Sequence, residues 1–198
     1  MSAKVFIMDK YTQKSLNFAA MKDRKLLNSE LGRLQPSEYS SAQPSGIAVV
    51  LDNVRSAHNV GSAFRTADGF RADIVCLCGI CATPPSAEIH KTALGAETTV
   101  PWEHYDNTLE AVRVLRSRGY VTVAVEQTEN SVSLEKFSPA AGSRYAFVFG
   151  NEVAGVAQEV VDECDFSLEI PQKGVKHSLN VSVCVGIVLW QALMESII

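Results

Sequence analysis

Hydrophobic residues occur in short unbroken runs along most of the chain, and amphipathic stretches separate one run from the next. Such runs are typical of strands that are buried on both faces of a sheet. The pattern predicts five strands, at Ile47–Leu51, Ile74–Leu77, Tyr120–Val125, Tyr145–Phe149 and Phe166–Ile170. It predicts helices near residues 59–69, 86–94, 108–118 and 153–163, and a long apolar helix at roughly 179–196. Strands that alternate with helices indicate an α/β fold, with a parallel sheet flanked by helices.

The N-terminal part of the chain has a different pattern. Residues 11–34 place apolar side chains at helical spacing, namely Leu16, Ala19, Ala20, Leu26, Leu27, Leu31 and Leu34. Gly32 and Pro36 end this pattern, and residues 35–46 are rich in Ser, Pro and Gly, as linkers are. We therefore predict a helical N-terminal extension with its linker at residues 1–40 and a main domain at residues 41–198.

Composition is that of an ordinary globular domain and excludes several classes of protein. Hydrophobic residues make up 46% and charged residues 20% of the chain, which is too apolar for a disordered protein. No run approaches the ~20 apolar residues of a membrane-spanning helix, so no membrane is expected as a partner. The first residues lack the pattern of a secretory signal peptide. Five cysteines, an odd number, favour reduced thiols in a cytoplasmic protein.

Charge is divided unevenly along the chain. The formal net charge of −4 argues by itself against a nucleic-acid partner. Residues 1–35, however, hold seven Lys and Arg against three acidic residues, whereas the remainder holds eleven against nineteen. The N-terminal extension is therefore a basic segment on an acidic body. It is either a solvated helix face or an arm that contacts anions, and the charge pattern favours neither.

Three polar segments follow predicted strands, at the edge where parallel α/β sheets bind their ligands. The first runs from Asp52 into the helix that begins near residue 59. Free N–H groups at the start of a helix suit an anion, and Gly61 would permit a close approach there. Asn59 and Arg65 lie on the first turns of this helix. The alternative interpretation is a capped helix with a surface arginine.

The second and third polar segments lie at the ends of the last two predicted strands. In the second, Gly150 permits a positive φ or contact with a ligand, and Glu152 is either a functional carboxylate or a first-turn acid of a helix. The third runs from Leu168 through an Ile-Pro pair and a Gly to Ser182. In this segment Ser178 is a natural N-cap for the last helix, which would explain it without any chemistry.

Each segment alone is a weak indication, but together and in this order they resemble the three motifs of the SpoU (TrmH-type) RNA methyltransferases of the SPOUT superfamily. The patterns are N-x-G-x-x-x-R, G-N-E-x-x-G and I-P-x-x-G-x-x-x-S-L-N-V-S, and the resemblance spans residues 46–196. It implies a C-terminal trefoil knot, a homodimer whose active site takes residues from both chains, and S-adenosylmethionine as cofactor. It also implies methyl transfer to a ribose 2′-hydroxyl of tRNA or rRNA.

The resemblance also implies roles for particular positions. The catalytic group would consist of Arg65, Asn59, Glu152, Ser178 and Asn180. The cofactor would contact Val125, Glu126, Gln127, Gly150, Asn151, Ile170, Ser178, Leu179 and Asn180. RNA would contact Arg65 and, if the extension is an arm, Lys22, Arg24 and Lys25. Asn59 would hold Arg65 and the substrate, and Glu152 would fix both its own loop and the arginine.

The role of Arg65 stays open at this level. A guanidinium keeps its proton above pH ~12 and is a poor base on paper. Arg65 acts either as a base after partial neutralisation by Asn59 and an RNA phosphate, or as a group that orients the phosphate and stabilises the developing alkoxide. The sequence does not separate these two roles.

Other candidates carry less weight. Cys76, Cys78 and Cys81 have no partners that would complete a four-ligand zinc set, so no metal is expected. His177 is a possible general base, but a loop residue in contact with solvent or phosphate is the simpler interpretation. The alternative function is an RNA-binding or ribosome-assembly protein on the same fold without transferase activity. The intact trio Asn59, Arg65 and Glu152 favours the enzyme.

Overall fold

The computed structural model describes residues 24–39, 41, 43 and 45–197, and the chain divides into two units at residues 35 and 36. Within residues 24–34 the predicted α-helix is wrong, because this stretch forms one turn of 3-10 helix at Asn28–Glu30. Leu26 and Leu27 are 58% and 65% exposed, so these side chains gain little of the burial that stabilises a short helix. The rest of the predicted helix, residues 11–23, lies outside the described residues.

The second unit alternates strands and helices. Its strands are β1 Ile47–Asp52, β2 Ile74–Cys78, β3 Trp102–Tyr105, β4 Tyr120–Val125, β5 Val132–Ser133, β6 Arg144–Phe149 and β7 Phe166–Glu169. Its helices are α1 Pro36–Tyr39, α2 Ala57–Gly69, α3 Ala87–Ala93, α4 Thr108–Ser117, α5 Gln158–Glu163 and α6 Val181–Ile197. In the described residues, no helix is long and apolar enough to cross a membrane.

In the described part of the chain the strands form one seven-stranded sheet in the order β3-β2-β1-β6-β4-β7-β5. Every pair of neighbouring strands is parallel. The register pairs Leu51 and Val125 with Phe149, and Val125 with Leu168. The carboxyl ends of β1, β6, β4 and β7 therefore meet at one edge of the sheet. The predicted parallel sheet flanked by helices is confirmed.

The core has one layer on each face of the sheet, because successive side chains of a strand point to opposite faces. In β1, Val49 and Leu51 join a cluster that includes buried side chains of α2 and α6. Ala48 and Val50 join a second cluster, which includes side chains of α4 and α5. This two-sided burial explains why the central strands are apolar throughout.

A buried carboxylate at the end of β1 ties the second layer together. Asp52 is 1% exposed. One of its oxygens accepts hydrogen bonds from Thr108 Oγ1 at 2.6 Å and from Asn53 Nδ2 at 2.8 Å. The other accepts a hydrogen bond from Ala157 N at 3.0 Å. Asp52 thus joins the first residue of α4 to the residue that precedes α5.

Two helices begin later than the sequence predicts. The helix predicted from residue 153 begins at Gln158, because the preceding residues form a tight loop. The last helix begins at Val181, where Asn180 Oδ1 accepts a hydrogen bond from Ser182 N at 2.9 Å. Asn180 is therefore the N-cap, and Ser178 lies outside the helix.

Candidate active site

A cavity of about 310 Å³ lies at the carboxyl edge of the sheet, where the loops after β4, β6 and β7 converge. Predicted cofactor residues that line it are Val125, Glu126, Gln127, Gly150, Asn151, Ile170, Ser178 and Leu179. Asn180 does not line it. Further lining residues that the sequence did not single out include Phe149, Gly155, Leu168, Glu169, Gln172, Val181 and Cys184. Their positions next to the motifs are the signal that could have identified them.

The loop after β6 is closed by its own backbone. Asn151 and Gly155 exchange two hydrogen bonds, at 3.1 and 3.0 Å. A Cβ atom on Gly150 would lie 1.9 Å from the carbonyl carbon of Gly155, so only glycine fits there. Asn151 Oδ1 also accepts hydrogen bonds from the N–H groups of Val153 and Ala154. This wall of the cavity is consequently tight and well determined.

Glu126 connects the walls to each other. Its Oε2 accepts a hydrogen bond from Val156 N at 3.0 Å, and its Oε1 accepts one from Gln127 N at 2.8 Å. Gln127 Nε2 in turn donates to the carbonyl oxygen of His177 at 3.0 Å. The side chain of Glu126 therefore holds the loop after β6, and Gln127 holds the loop after β7.

A chain of amide hydrogen bonds joins the three motifs. Asn59 Nδ2 donates to Glu152 Oε1 at 2.7 Å, and Asn180 Nδ2 donates to Asn59 Oδ1 at 3.2 Å. The backbone N–H of Ser182 can only donate, so the side-chain atom of Asn180 that it contacts must be the oxygen. The other side-chain atom of Asn180 is therefore the nitrogen, which donates to Asn59. The direction is also determined at the other end of the chain of bonds if Glu152 is ionised, because a carboxylate can only accept.

Arg65 lies apart from this chain of bonds. Its exposed guanidinium forms no hydrogen bond or ion pair with any described residue. The expectation that Asn59 and Glu152 hold it is therefore wrong within one chain. Six residues separate Asn59 from Arg65, a rotation of about 240° around the helix axis, so the two side chains point in different directions. Arg65 instead borders a second cavity of about 690 Å³, together with Phe70 and Trp190.

Gly61 has a structural task rather than the expected contact with a ligand. A Cβ atom at this position would lie 2.1 Å from Thr92 Oγ1 and 2.3 Å from the carbonyl oxygen of Ile89. The missing side chain thus allows α2 and α3 to pack closely. Ser56 caps α2 by accepting a hydrogen bond from Asn59 N at 3.3 Å.

The loop after β7 keeps its backbone groups available. In the described part of the chain, residues 171–179 form no backbone–backbone hydrogen bonds. Ser178 and Leu179 border the cavity within this loop, and both are exposed. Backbone N–H and C=O groups must find partners, so these can bind water or a ligand. His177 also borders the cavity, and its carbonyl oxygen is the group bonded to Gln127.

The cysteines have the properties of core residues. Burial raises the pKa of Cys76 to about 12 and that of Cys81 to about 11, which keeps both thiols protonated near neutral pH. A protonated thiol is a poor nucleophile and a poor metal ligand. Among the described residues, no group of three or more His, Cys, Asp or Glu is placed to hold a metal ion.

The candidate RNA contacts of the extension differ from one another. Lys22 lies outside the described residues. Arg24 forms an ion pair with Glu30, with Nη2 and Oε1 2.8 Å apart. Lys25 is exposed, and its ammonium group forms no hydrogen bond or ion pair with any described residue, although its carbonyl oxygen accepts a hydrogen bond from Arg24 Nη1 at 3.3 Å. Lys25 is therefore the freer of the two described cations.

The fold and the site define a class: a parallel α/β protein with a small-molecule cavity formed by loops at the carboxyl edge of its sheet. Residues 46–190 match the model of the SpoU rRNA Methylase family, and the chain belongs to that family. The family expected from the three motifs is therefore confirmed.

Relatives with names support the same family. The chain is 33% identical over 153 residues to the 23S rRNA (guanosine-2'-O-)-methyltransferase RlmB of Nitrosomonas europaea, with 75% of this chain and 56% of the relative covered. It is 30% identical over 168 residues to the tRNA (guanosine(18)-2'-O)-methyltransferase of Aquifex aeolicus, with 84% of this chain and 77% of the relative covered. The chain thus spans little more than half the length of the RlmB relative.

Solved structures have the same fold. The TrmH/SpoU tRNA modifying enzyme of A. aeolicus is similar with a TM-score of 0.71 and 27% identity, over 81% of this chain and 80% of that one. The AdoMet-bound rRNA methyltransferase from Sinorhizobium meliloti is similar with a TM-score of 0.69 and 30% identity, over 77% of this chain and 58% of that one.

Proposed function

We propose that this chain transfers a methyl group from S-adenosylmethionine to a ribose 2′-hydroxyl of tRNA or rRNA. The observation that carries the proposal is the cavity in which the second and third motifs meet, with Asn59 of the first motif bonded to both. The names of the relatives, which act on guanosine 2′-hydroxyls of rRNA and tRNA, support the same reaction.

The residues of the cavity fit the proposed cofactor. A volume of about 310 Å³ lies within the range of ~300–1,000 Å³ that small-molecule sites occupy. Val125, Phe149 and Leu168 offer apolar surface, and the loop after β7 offers free backbone groups. When bound, S-adenosylmethionine supplies an electrophilic methyl group on a sulfonium. Glu126 and Gln127 would hold the walls around it.

We assign Arg65 the role of orienting the RNA rather than of a base. Its guanidinium forms no hydrogen bond or ion pair with any described residue, so its donors are available to a bound RNA. Its free donors suit an RNA phosphate and a developing alkoxide. The bonded amides of Asn59 and Asn180, with Glu152, would set the geometry of the acceptor, and Ser178 would shape the pocket.

A homodimer is the second part of the proposal. Val183 and Trp190 are 48% and 56% exposed and lie seven positions apart, so they present apolar surface on one face of α6. Arg65 borders the same cavity as Trp190, and within one chain it is not bonded to Asn59 or Glu152. The family resemblance implies an active site built from both chains, which would place this arginine beside the other chain's cavity.

We also propose the trefoil knot and a cytoplasmic location. The strand order, with β6 between β1 and β4 and with β7 beside β4, supports the family's topology. The bonds of Glu126 and Gln127 would hold the knotted loops together. The described cysteines are all free thiols, which is typical of a reducing compartment.

Arg65→Ala tests the assigned role. We expect transfer to fall by about 10²-fold or more, because a donor to the developing charge is lost. Calorimetric titration should give unchanged affinity for S-adenosylmethionine, since Arg65 does not border the cofactor cavity. Lys91→Ala, which removes an exposed cation outside both cavities, is the control and should leave both quantities unchanged. A parallel loss of cofactor affinity would contradict the assignment.

The same titration of the unaltered protein decides between the two functions. Saturable binding near one site per chain is the result we expect. A folded protein that binds RNA but not S-adenosylmethionine would instead be an RNA-binding or assembly protein on this fold.

The N-terminal arm has its own test. Lys25→Ala should weaken RNA binding and reduce the slope of log K against log[salt] by about 0.7–0.9, as expected for one lost phosphate contact. Arg24→Ala should change the slope less, because Glu30 already neutralises this guanidinium. Equal slopes for the unaltered protein and Lys25→Ala would remove the arm from the RNA interface.

A further inference from the structure

The candidate cofactor cavity has a negatively charged lining. Glu126, Glu152 and Glu169 border it, whereas no Lys or Arg does so among the described residues. Two of the three carboxylates have partners: Glu126 accepts two backbone N–H groups, and Glu152 accepts the amide of Asn59. Glu169 is half-buried, and its carboxylate forms no hydrogen bond or ion pair with any described residue.

Glu126 and Glu169 lie at the carboxyl ends of the neighbouring strands β4 and β7: Glu126 follows β4, and Glu169 is the last residue of β7. The ladder of β4 and β7 pairs Val125 with Leu168, and Glu126 N donates to the carbonyl oxygen of Leu168 at 3.0 Å. Val125 and Leu168 both pack in the core layer that contains α6. The next residues, Glu126 and Glu169, are therefore neighbours on chain segments about 4.8 Å apart, and both border the cavity.

This arrangement of like charges is electrostatically unfavourable. Like charges on adjacent strands destabilise a sheet, and a half-buried carboxylate without a partner has lost part of its hydration. His177 borders the same cavity, and its imidazole forms no hydrogen bond with either carboxylate. A cationic group of a ligand would offset both costs at once. Sites at which local energetics are unfavourable are commonly those that a ligand completes.

We propose that Glu169 makes the cavity selective for the charge of its ligand, so that it binds cationic S-adenosylmethionine in preference to the demethylated product. This inference rests on the proposed function. At neutral pH the donor carries a net charge of about +1, from its sulfonium, ammonium and carboxylate groups, whereas the product, a thioether, has no net charge. The two ligands otherwise differ by one methyl group. A cavity with this preference retains the donor and releases the product.

The experiment compares three ligands by calorimetric titration: S-adenosylmethionine, the demethylated product, and an unreactive analogue with an ammonium-bearing carbon in place of the sulfonium. The unaltered protein should bind both cationic ligands more tightly than the product. Glu169→Gln, which keeps the shape of the side chain, should weaken both cationic ligands by about threefold to tenfold. It should change the affinity for the product by less than about twofold, because that ligand gains little from the carboxylate.

A matched control separates local from overall charge. Glu159→Gln causes the same change in net charge at an exposed carboxylate outside the cavity, and should leave all three affinities unchanged. In the unaltered protein, added salt should weaken the binding of the donor more than the binding of the product. In Glu169→Gln the salt dependence of the two affinities should differ less. Ligand-free Glu169→Gln should melt at the same temperature as the unaltered protein or higher, because the repulsion by Glu126 is relieved.

The outcomes distinguish this inference from the function on which it rests. Equal weakening of donor and product by Glu169→Gln would mean that Glu169 shapes the pocket, and would overturn the proposed selectivity while leaving the methyltransferase proposal intact. Unchanged affinities would likewise overturn it. Failure of the unaltered, folded protein to bind any of the three ligands would overturn both proposals together.

Discussion

Gly155 is held in a position where the candidate cavity tolerates no side chain. Its φ is +68°, in the left-handed region that favours glycine. A Cβ atom there would lie 2.1 Å from Glu126 Oε2, the oxygen that accepts the N–H of Val156. The glycine and the carboxylate are therefore mutually dependent: one leaves the space, and the other fills it with a hydrogen-bond acceptor.

Gly155→Ala tests this dependence. We expect it to destabilise the protein by about 1–3 kcal/mol, from backbone strain and a lost hydrogen bond, and to weaken the binding of S-adenosylmethionine. Denaturant unfolding and calorimetry measure the two effects. Gly174→Ala is a matched control, since this glycine has no positive φ and its Cβ would meet nothing within 4 Å. A Gly155→Ala variant as stable as the control would show that the loop yields at little cost.

At the scale of elements, a buried carboxylate that is hydrogen-bonded to a histidine braces the connection between α3 and β3. The side chain of Glu97 is 7% exposed, and its Oε1 lies 2.6 Å from His90 Nδ1. Its other oxygen accepts a hydrogen bond from Gly95 N at 3.1 Å. Burial by itself raises the pKa of Glu97, but the hydrogen bonds from His90 and from the backbone outweigh it, and the pKa is lowered from 4.5.

Stability should therefore depend on the ionisation of Glu97. A carboxyl whose pKa is lowered on folding contributes stability above its unfolded pKa, and this contribution is lost as the pH falls through the folded pKa. Glu97→Gln should destabilise the protein by about 1–3 kcal/mol at neutral pH. The difference from the unaltered protein should narrow as the pH falls below about 4.3, the unfolded value.

Urea unfolding at several pH values measures this difference. Glu135→Gln, which removes an exposed carboxylate from the turn at Leu134–Lys136, is the control and should change the free energy of unfolding by less than about 0.5 kcal/mol. A difference for Glu97→Gln that stays constant down to pH 3 would show that packing, not charge, supports this connection.

For the whole molecule, the exposed face of α6 is the feature that an isolated chain leaves unexplained. Trp190 contacts Phe70 edge to face, with ring centroids 6.4 Å apart, yet remains 56% exposed. Arg65 borders the same cavity. Assembly of two copies through this face would both cover the tryptophan and account for the position of Arg65.

Trp190→Glu should consequently convert the proposed dimer to a monomer, because a charge would be buried at its interface. Light scattering coupled to size exclusion measures the mass, and the monomer should lose transfer activity while it still binds S-adenosylmethionine. Ile80→Glu introduces the same charge at a side chain that is 58% exposed on another element, and should leave the mass unchanged. A Trp190→Glu protein that remains dimeric would place the interface elsewhere.

The central strands were predictable because each is buried on both faces, which requires an unbroken apolar run. The run at residues 120–125 coincides with β4. β3 and β5 were not predicted as observed, because they lie at the two edges of the sheet, where half-exposed residues such as Trp102 and Val132 satisfy a weaker requirement. The prediction of a helix over residues 24–34 was wrong for a related reason: the spacing of its leucines is helical, but these side chains are exposed and gain little stabilisation from burial.

Residues that follow strands were identified from the sequence alone, since a parallel sheet brings the carboxyl ends of its strands to one edge. The motifs at residues 59–65, 150–155 and 170–182 therefore indicated the family and most of the cavity. Other properties depend on which strands are neighbours. The pairing of β4 with β7 places Glu169 beside Glu126, and the hydrogen bond from Asn180 to Asn59 joins the first motif to the third. Contacts between segments far apart in the chain, and not local pattern, decide such features.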